Sequence, residues 1–217
     1  MSLKLILGNK NYSSWSLRPW IAMRNAGIPF EEEVIPLYEP GSAERMATYS
    51  PTGKVPVLID GDMVIWESLA ILEHIAERFP KAQLWPADAK ARACARAISS
   101  EMHAGFLPLR KHFPMNMRRE KRKLELTEDA AANVRRIEQI WTDCRQRFGA
   151  GGPFLFGAFG AADAMYAPIV SRFESYAIGV GPVAKDYMTA MMALPAWIEW
   201  RNAGVVEPWV MPGNEVS

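Results

Sequence analysis

The feature that most constrains this sequence is an asymmetry along the chain. Every run that reads as a β-strand lies before residue 67, and from Ala87 onward none does. Leu3-Lys4-Leu5-Ile6-Leu7 reads as a buried strand ending at Gly8. Phe30 to Leu37 reads as a second strand despite Glu31, Glu32 and Glu33. Val55-Pro56-Val57-Leu58-Ile59 is a third, and Asp60-Gly61 signals a hairpin into a fourth at Met63–Trp66. Between these runs, Ser13 and Ser14 offer N-caps to a helix whose Leu17, Trp20 and Ile21 follow i, i+3, i+4 spacing, stopped by Gly27 and Pro29. A short helix is expected around Ala43–Thr48, and Glu67 to Phe79 forms another on Leu69, Leu72, Ile75, Ala76 and Phe79. The order β-α-β-α-β-β-α is a βαβ unit followed by a hairpin and a packing helix.

The second part reads as helical throughout. Amphipathic stretches at Ala89–Phe113 and Thr127–Phe148 precede a glycine-rich break at Gly149–Gly152, and helices follow near Ala161–Ala177, Val183–Ala193 and Pro195–Asn202. The fold class expected is therefore α/β plus all-α. Residues 1–80 form a small α/β domain, 81–87 a linker in which Trp85 is an anchor, and 88–217 a helical bundle.

Composition excludes several classes. With eight Trp, nine Phe and six Tyr in 217 residues, a disordered chain is not expected. No apolar stretch approaches the roughly 20 residues that span a bilayer, and the start MSLKLILGNK has no signal-peptide pattern. Cys94 and Cys144 lie far apart on helix-like segments, which fits a reducing, cytoplasmic compartment better than a disulfide framework. The three histidines, His74, His103 and His112, show no metal-ligand spacing, so no metal is expected; they read as satisfied surface or interface residues. Residues 90–147 carry a net +7 between flanks of −3 each, and Met117–Lys123 is strongly basic. Without interleaved aromatics or a nucleic-acid module, that run reads as a solvated loop, and no nucleic-acid partner is expected.

Three local features can carry chemistry. In Asn11-Tyr12-Ser13-Ser14-Trp15-Ser16-Leu17-Arg18, a hydroxyl at a helix N-terminus can donate to an anion such as a thiolate, or simply cap the helix. In Thr52-Gly53-Lys54-Val55-Pro56, the proline marks an edge, a bulge or a cis bond. A cis bond would free the Val55 backbone to pair with an extended ligand. In Trp66-Glu67-Ser68, the carboxylate suits an ammonium and the serine with the helix N-terminus suits a carboxylate, unless the segment only caps the helix.

In this joint order the first domain resembles the thioredoxin-like half of glutathione S-transferases, and the whole chain resembles their cytosolic members. The motifs are Ser-Ser-x-Ser-x-Arg, then x-Val-Pro-x-Leu, then Glu-Ser-x-Ala-Ile-x-x-x-Ile. The serine-rich helix start is most similar to the zeta class, which aligns Ser13 with the family's catalytic serine. Trp15 stands where zeta members commonly carry the cysteine that goes with isomerase activity, which ranks isomerisation behind conjugation. Gly157–Asp163 is similar to the family's capping box, with Gly160 as the cap, and Leu194–Trp200 to its late proline-led helix.

The resemblance implies a transferase that adds glutathione, its co-substrate, to a small hydrophobic electrophile. The alternatives are a maleylacetoacetate isomerase-like enzyme and a non-catalytic glutathione-fold scaffold. Ser13 is ranked first as the thiolate donor, Ser14 second and Tyr12 third. Lys54 and the Val55 backbone are expected to hold the cysteinyl–glycyl part, and Glu67 with Ser68 the γ-glutamyl end. The electrophile pocket is expected among Tyr12, Met102, Phe106, Arg110, Phe113 and Tyr166. A homodimer is implied, the acidic first part of one subunit suiting the basic middle of the other.

Overall fold

The computed structural model describes residues 2–216. Four strands, β1 (Leu3–Leu7), β2 (Phe30–Val34), β3 (Val57–Asp60) and β4 (Met63–Trp66), form one mixed sheet in the order β2-β1-β3-β4. β1 pairs in parallel with β2 and antiparallel with β3, and β3 pairs antiparallel with β4. The period-two alternation of side chains explains the layering. Leu3, Leu5 and Leu7 join the main core with α1 (Ser14–Asn25) and α3 (Ser68–Arg78). Ile6 faces the opposite side with Ile35 and Val57, where Met46 of α2 (Ser42–Ala47) packs.

Two strands are shorter than the sequence suggests, and proline is the reason in both. β2 ends at Val34, before Pro36, although Ile35 N–H still donates to the Leu7 carbonyl at 2.8 Å. β3 begins at Val57, after Pro56, because proline has no N–H for the ladder. The Val55–Pro56 peptide is cis.

The helical part comprises α4 (Ala89–Ala104), α5 (Leu107–His112), α6 (Glu128–Phe148), α7 (Ala161–Ser175), α8 (Pro182–Met192) and α9 (Pro195–Val205). The stretch Ala89–Phe113, expected as one helix, breaks at Gly105-Phe106. Phe106 adopts a left-handed backbone (φ 59°, ψ 31°), and a Cβ on Gly105 would stand 2.7 Å from the Glu101 carbonyl oxygen. α7 is buried from Ala161 to Phe173 and lies against α1 and α4, so both parts share one core. Trp20 of α1 meets Trp200 of α9 edge-on at 5.1 Å. Trp141 sits among Tyr166, Phe173 and Tyr187.

The Asp163 carboxylate accepts the N–H groups of Gly160 (2.9 Å) and Leu155 (3.1 Å), completing the cap at Gly160. Cys94 and Cys144, distant in sequence, bring their sulfurs to 3.9 Å, both as free thiols. The basic run after Met117 packs only at its start, and residues 120–123 are exposed, as expected of a solvated loop. Met117 is buried, Lys121 pairs with Glu174 at 2.9 Å, and Arg118 donates to the carbonyls of Glu207 and Trp209. Among the described residues no helix is long and apolar enough to cross a membrane, and no three His, Cys, Asp or Glu side chains group to hold a metal ion.

Candidate active site

The loop from β1 into α1 sets the centre of a groove. Ser13 caps α1 in the structure. Its Oγ accepts Ser16 N–H at 3.3 Å and its hydroxyl donates to Ser16 Oγ at 2.8 Å, which in turn accepts Gly8 N–H. Ser14 is the first helical residue, and among the described residues no group hydrogen-bonds its hydroxyl. The hydroxyl stands at the positive end of α1, where an anion is favoured. The Tyr12 hydroxyl is engaged with Glu215 and Arg118.

Three contiguous hollows meet around Trp15. One of about 400 Å³ is walled by Thr52, Lys54, Val55, Pro56, Trp66, Glu67 and His103. A second, of about 330 Å³, lies over Ser13, Ser14, Tyr38, Lys54 and Val55. A third, of about 250 Å³, runs from Ser14 to Arg110, Lys111, Met115, Arg172 and Asn214. Ser14 opens into the second and third, whereas Ser13 reaches only the second. A separate hollow of about 370 Å³ beneath the linker contains Trp85, Phe148 and Phe156. Its two carboxylates, Asp88 and Asp163, are both spent as helix caps, so it presents no free polar group of that kind.

Of the four residues expected to hold the ligand, Lys54, Val55 and Glu67 line one groove and Ser68 does not. Glu67 has φ 68° and ψ 124°, an unusual backbone for a side-chain-bearing residue that costs of order 1–3 kcal/mol. Its carboxylate is half-exposed at the groove and 3.5 Å from His103 Nε2. Ser68 is fully buried beneath it and accepts a hydrogen bond from Arg18 Nη1 at 3.3 Å.

The expected electrophile pocket needs correction. Met102, Phe106, Phe113 and Tyr166 are core residues at 8% exposure or less, and the Tyr166 hydroxyl donates to the Ile98 carbonyl at 3.1 Å. Apolar residues at helical spacing went to the interface between helices, the ordinary destination for such a stripe. Only Tyr12 and Arg110 of that group reach the third hollow.

What the sequence reading missed is a set of buried cations. Arg18 and Arg172 are almost wholly buried, and Arg110 is partly so. Arg18 lies over the Trp15 ring at 4.3 Å and Arg110 at 4.6 Å. Their hydrogen bonds go to neutral groups. Arg18 bonds the Ser68 hydroxyl, Arg110 makes long 3.4 Å contacts to the His103 and Gly105 carbonyls, and Arg172 bonds those of Phe113 (2.8 Å) and Pro168 (3.0 Å). Among the described residues no carboxylate forms an ion pair with any of the three. Burial first, then the Arg110 charge, pulls Arg18 and Arg172 down to about 9, and burial also lowers Arg110. All three stay cationic at neutral pH, in a setting that an anion would relieve. His103 meets Trp15 edge-on at 5.1 Å and has a buried Nδ1 without a partner among the described residues, so it lies at an interface but is not fully satisfied. Burial and the Arg18 charge hold it below the usual histidine range. No spacing rule reveals these groups, because α1, α4, α5 and α7 bring them together only in three dimensions.

The family model for the glutathione S-transferase N-terminal domain matches residues 12–78, and that for the C-terminal domain matches 127–203, together about two thirds of the chain. The chain belongs to the glutathione S-transferase family. It is 29% identical to maleylacetoacetate isomerase of Rattus norvegicus over 192 residues, covering 85% of this chain and 86% of the rat protein. It is 35% identical to a probable maleylacetoacetate isomerase of Caenorhabditis elegans over 96 residues, spanning 44% of either chain. Its fold matches a holo structure of maleyl pyruvate isomerase, a bacterial zeta-class glutathione S-transferase, with TM-score 0.72 at 22% identity over 94% of this chain and 98% of that one. The thioredoxin-like sheet followed by a helical part is thus the family's architecture.

Proposed function

We propose that this protein binds glutathione in the groove of Lys54, Val55 and Glu67, ionises its thiol at the start of α1, and adds the sulfur to an electrophile in the hollow of Arg110 and Arg172. The observation that carries this reading is the Ser14 hydroxyl. It has no partner among the described residues, stands at the positive end of α1, and opens into both the second hollow, over Lys54 and Val55 beside the groove, and the cationic hollow. Ser14 is therefore the better-placed donor, while Ser13 holds the helix and is occupied by Ser16. A charge-assisted hydrogen bond contributes about 1.5–3 kcal/mol, which corresponds to lowering a thiol by one to two pKa units. Glu67 takes the ligand's ammonium, and the backbone N–H groups at the N-terminus of α3, above the buried Ser68 hydroxyl, take its carboxylate. The thiolate sulfur then forms a bond to the electrophilic carbon, and the displaced electron pair leaves with a leaving group or resides on the acceptor until it is protonated.

The unpaired arginines favour an electrophile that carries a carboxylate. They also support a second reading, isomerisation, the activity in the names of the rat and nematode relatives; in it the sulfur would add to an unsaturated acid, a bond would rotate, and the sulfur would be expelled again. In both readings residues 1–80 hold glutathione and 88–217 supply most of the acceptor site, joined by 81–87. Trp15 from the first part and His103 from the second cross that division. The protein acts in the cytoplasm, where the free thiols of Cys94 and Cys144 persist. It works as a homodimer, and light scattering that gives a single-chain mass at micromolar concentration contradicts that.

The test is calorimetry with glutathione, followed by an acceptor panel that pairs each carboxylate-bearing electrophile with its amide. Binding at sub-millimolar glutathione and preference for the acids support the reading. Absence of binding at millimolar glutathione supports a non-catalytic scaffold instead.

A further inference from the structure

The two cysteines lie outside the groove and the hollows around it, where α4 meets α6. Their sulfurs stand 3.9 Å apart although the residues are 50 positions apart in the chain, and both are free thiols. The contact belongs to the register of the two helices. Glu101, seven residues further along α4, pairs through both carboxylate oxygens with Arg136, eight residues back along α6, at 2.8 and 2.9 Å. At 1.5 Å per residue those steps are about 10 and 12 Å. The helices therefore run antiparallel here, and the sulfurs meet where that alignment puts them.

Cys94 is partly exposed and Cys144 is buried. Burial pushes the Cys144 thiol up, and the neighbouring Cys94 adds to that. The thiolate is the reactive form, so Cys94 is the sulfur that meets a solvent-borne reagent first. A disulfide needs the sulfurs at about 2.0 Å, a closure that rotation about the two Cα–Cβ bonds and a slight approach of the helices supply. α4 packs mainly on α7, and α6 mainly on α5 and α8, so such a bond ties two helices whose main packing lies elsewhere. α4 also carries His103 to the wall of the groove.

We propose that Cys94 and Cys144 form a reversible dithiol–disulfide couple, which glutathione disulfide oxidises and reduced glutathione resets, and which staples α4 to α6. The Cys94 thiolate attacks one sulfur of the oxidant, forming a mixed disulfide and releasing one glutathione thiolate, which takes up the Cys94 proton. The Cys144 sulfur then attacks the Cys94 sulfur. The bond to the second glutathione breaks, and that thiolate takes up the Cys144 proton. Two thiols are oxidised to one disulfide while one glutathione disulfide is reduced to two thiols. Disulfides in a reducing compartment are as a rule transient and redox-sensing, which suits a pair that is free at rest. The couple depends on neither the thiolate donor nor the acceptor hollow, because neither cysteine reaches them.

The test equilibrates wild type, Cys94→Ser and Cys144→Ser with mixtures of reduced glutathione and glutathione disulfide of rising oxidised fraction. Thiol titration and mass spectrometry of the intact chain and its peptides read the result. In wild type the expected outcome is loss of both thiols together, a mass lower by two hydrogens, and a linked pair of peptides containing Cys94 and Cys144. Excess reduced glutathione reverses all three. Cys144→Ser is expected to stop at a glutathione adduct on Cys94, and Cys94→Ser to stay unmodified. Because the bond closes a long loop, the urea midpoint of oxidised wild type is expected about 1 M above that of the reduced form. Wild type that keeps both thiols, stops at the adduct, or links two chains overturns the couple. An unchanged midpoint overturns the staple, and an adduct on Cys144 in Cys94→Ser overturns the order of attack.

Discussion

Replacing Asp163 by alanine tests how the helical part is held beneath the site. Its carboxylate is fully buried and accepts two N–H groups, from Leu155 at 3.1 Å and Gly160 at 2.9 Å. Alanine leaves both donors without their partner, and an unsatisfied buried donor costs about 1–3 kcal/mol. The expected loss is therefore about 2–5 kcal/mol, and at about 2–4 °C per kcal/mol for a chain of this size the midpoint falls by roughly 5–15 °C. Burial also raises the Asp163 carboxyl to about 6 from 3.8, so between those values the folded state binds more protons than the unfolded one. Stability then falls as pH rises across that window and is level above it, since the slope follows the protons bound by the unfolded minus the folded state. Asp163→Asn removes this slope. Urea unfolding at pH 4.5 and 7 for wild type and both variants measures both effects. A loss below 1 kcal/mol in Asp163→Ala, with unchanged m, refutes the reasoning.

Two further outcomes concern the acceptor site. Arg110→Met lowers kcat/KM for a carboxylate-bearing acceptor by about 10- to 100-fold, the range of a lost charge-assisted contact, and leaves its amide within about two-fold; paired kinetics on the two acceptors check this. Phe113→Ala costs about 3–5 kcal/mol in denaturant unfolding, as deletion of a core ring does, yet leaves the acceptor KM unchanged, because Phe113 is fully buried and does not reach the hollow.

The sheet and most helices were legible because local rules decided them. Alternation in Leu3–Leu7, the Asp60-Gly61 turn and the Ser13 cap each act within a few residues. Pro36 and Pro56 shortened strands by a rule that was equally local, though the reading let apolar runs override it. The groove residues Lys54, Val55 and Glu67 were visible through motif order. The acceptor side was not. Composition could not distinguish Phe113, which packs against Tyr176 at 4.8 Å, from a pocket wall. Nor could it show that Arg18, Arg110 and Arg172 converge from three helices without a carboxylate. Within the basic run, the packing of Arg118 was invisible because its partners, Glu207 and Trp209, lie some ninety residues away.

The most direct test is the titration of bound glutathione by thiolate absorbance in wild type, Ser13→Ala and Ser14→Ala. The account predicts a bound-thiol pKa one to two units below the free value of about 8.5 in wild type, with most of that depression lost in Ser14→Ala and largely kept in Ser13→Ala. A wild-type value equal to that of free thiol, or one that Ser14→Ala leaves unmoved, contradicts it.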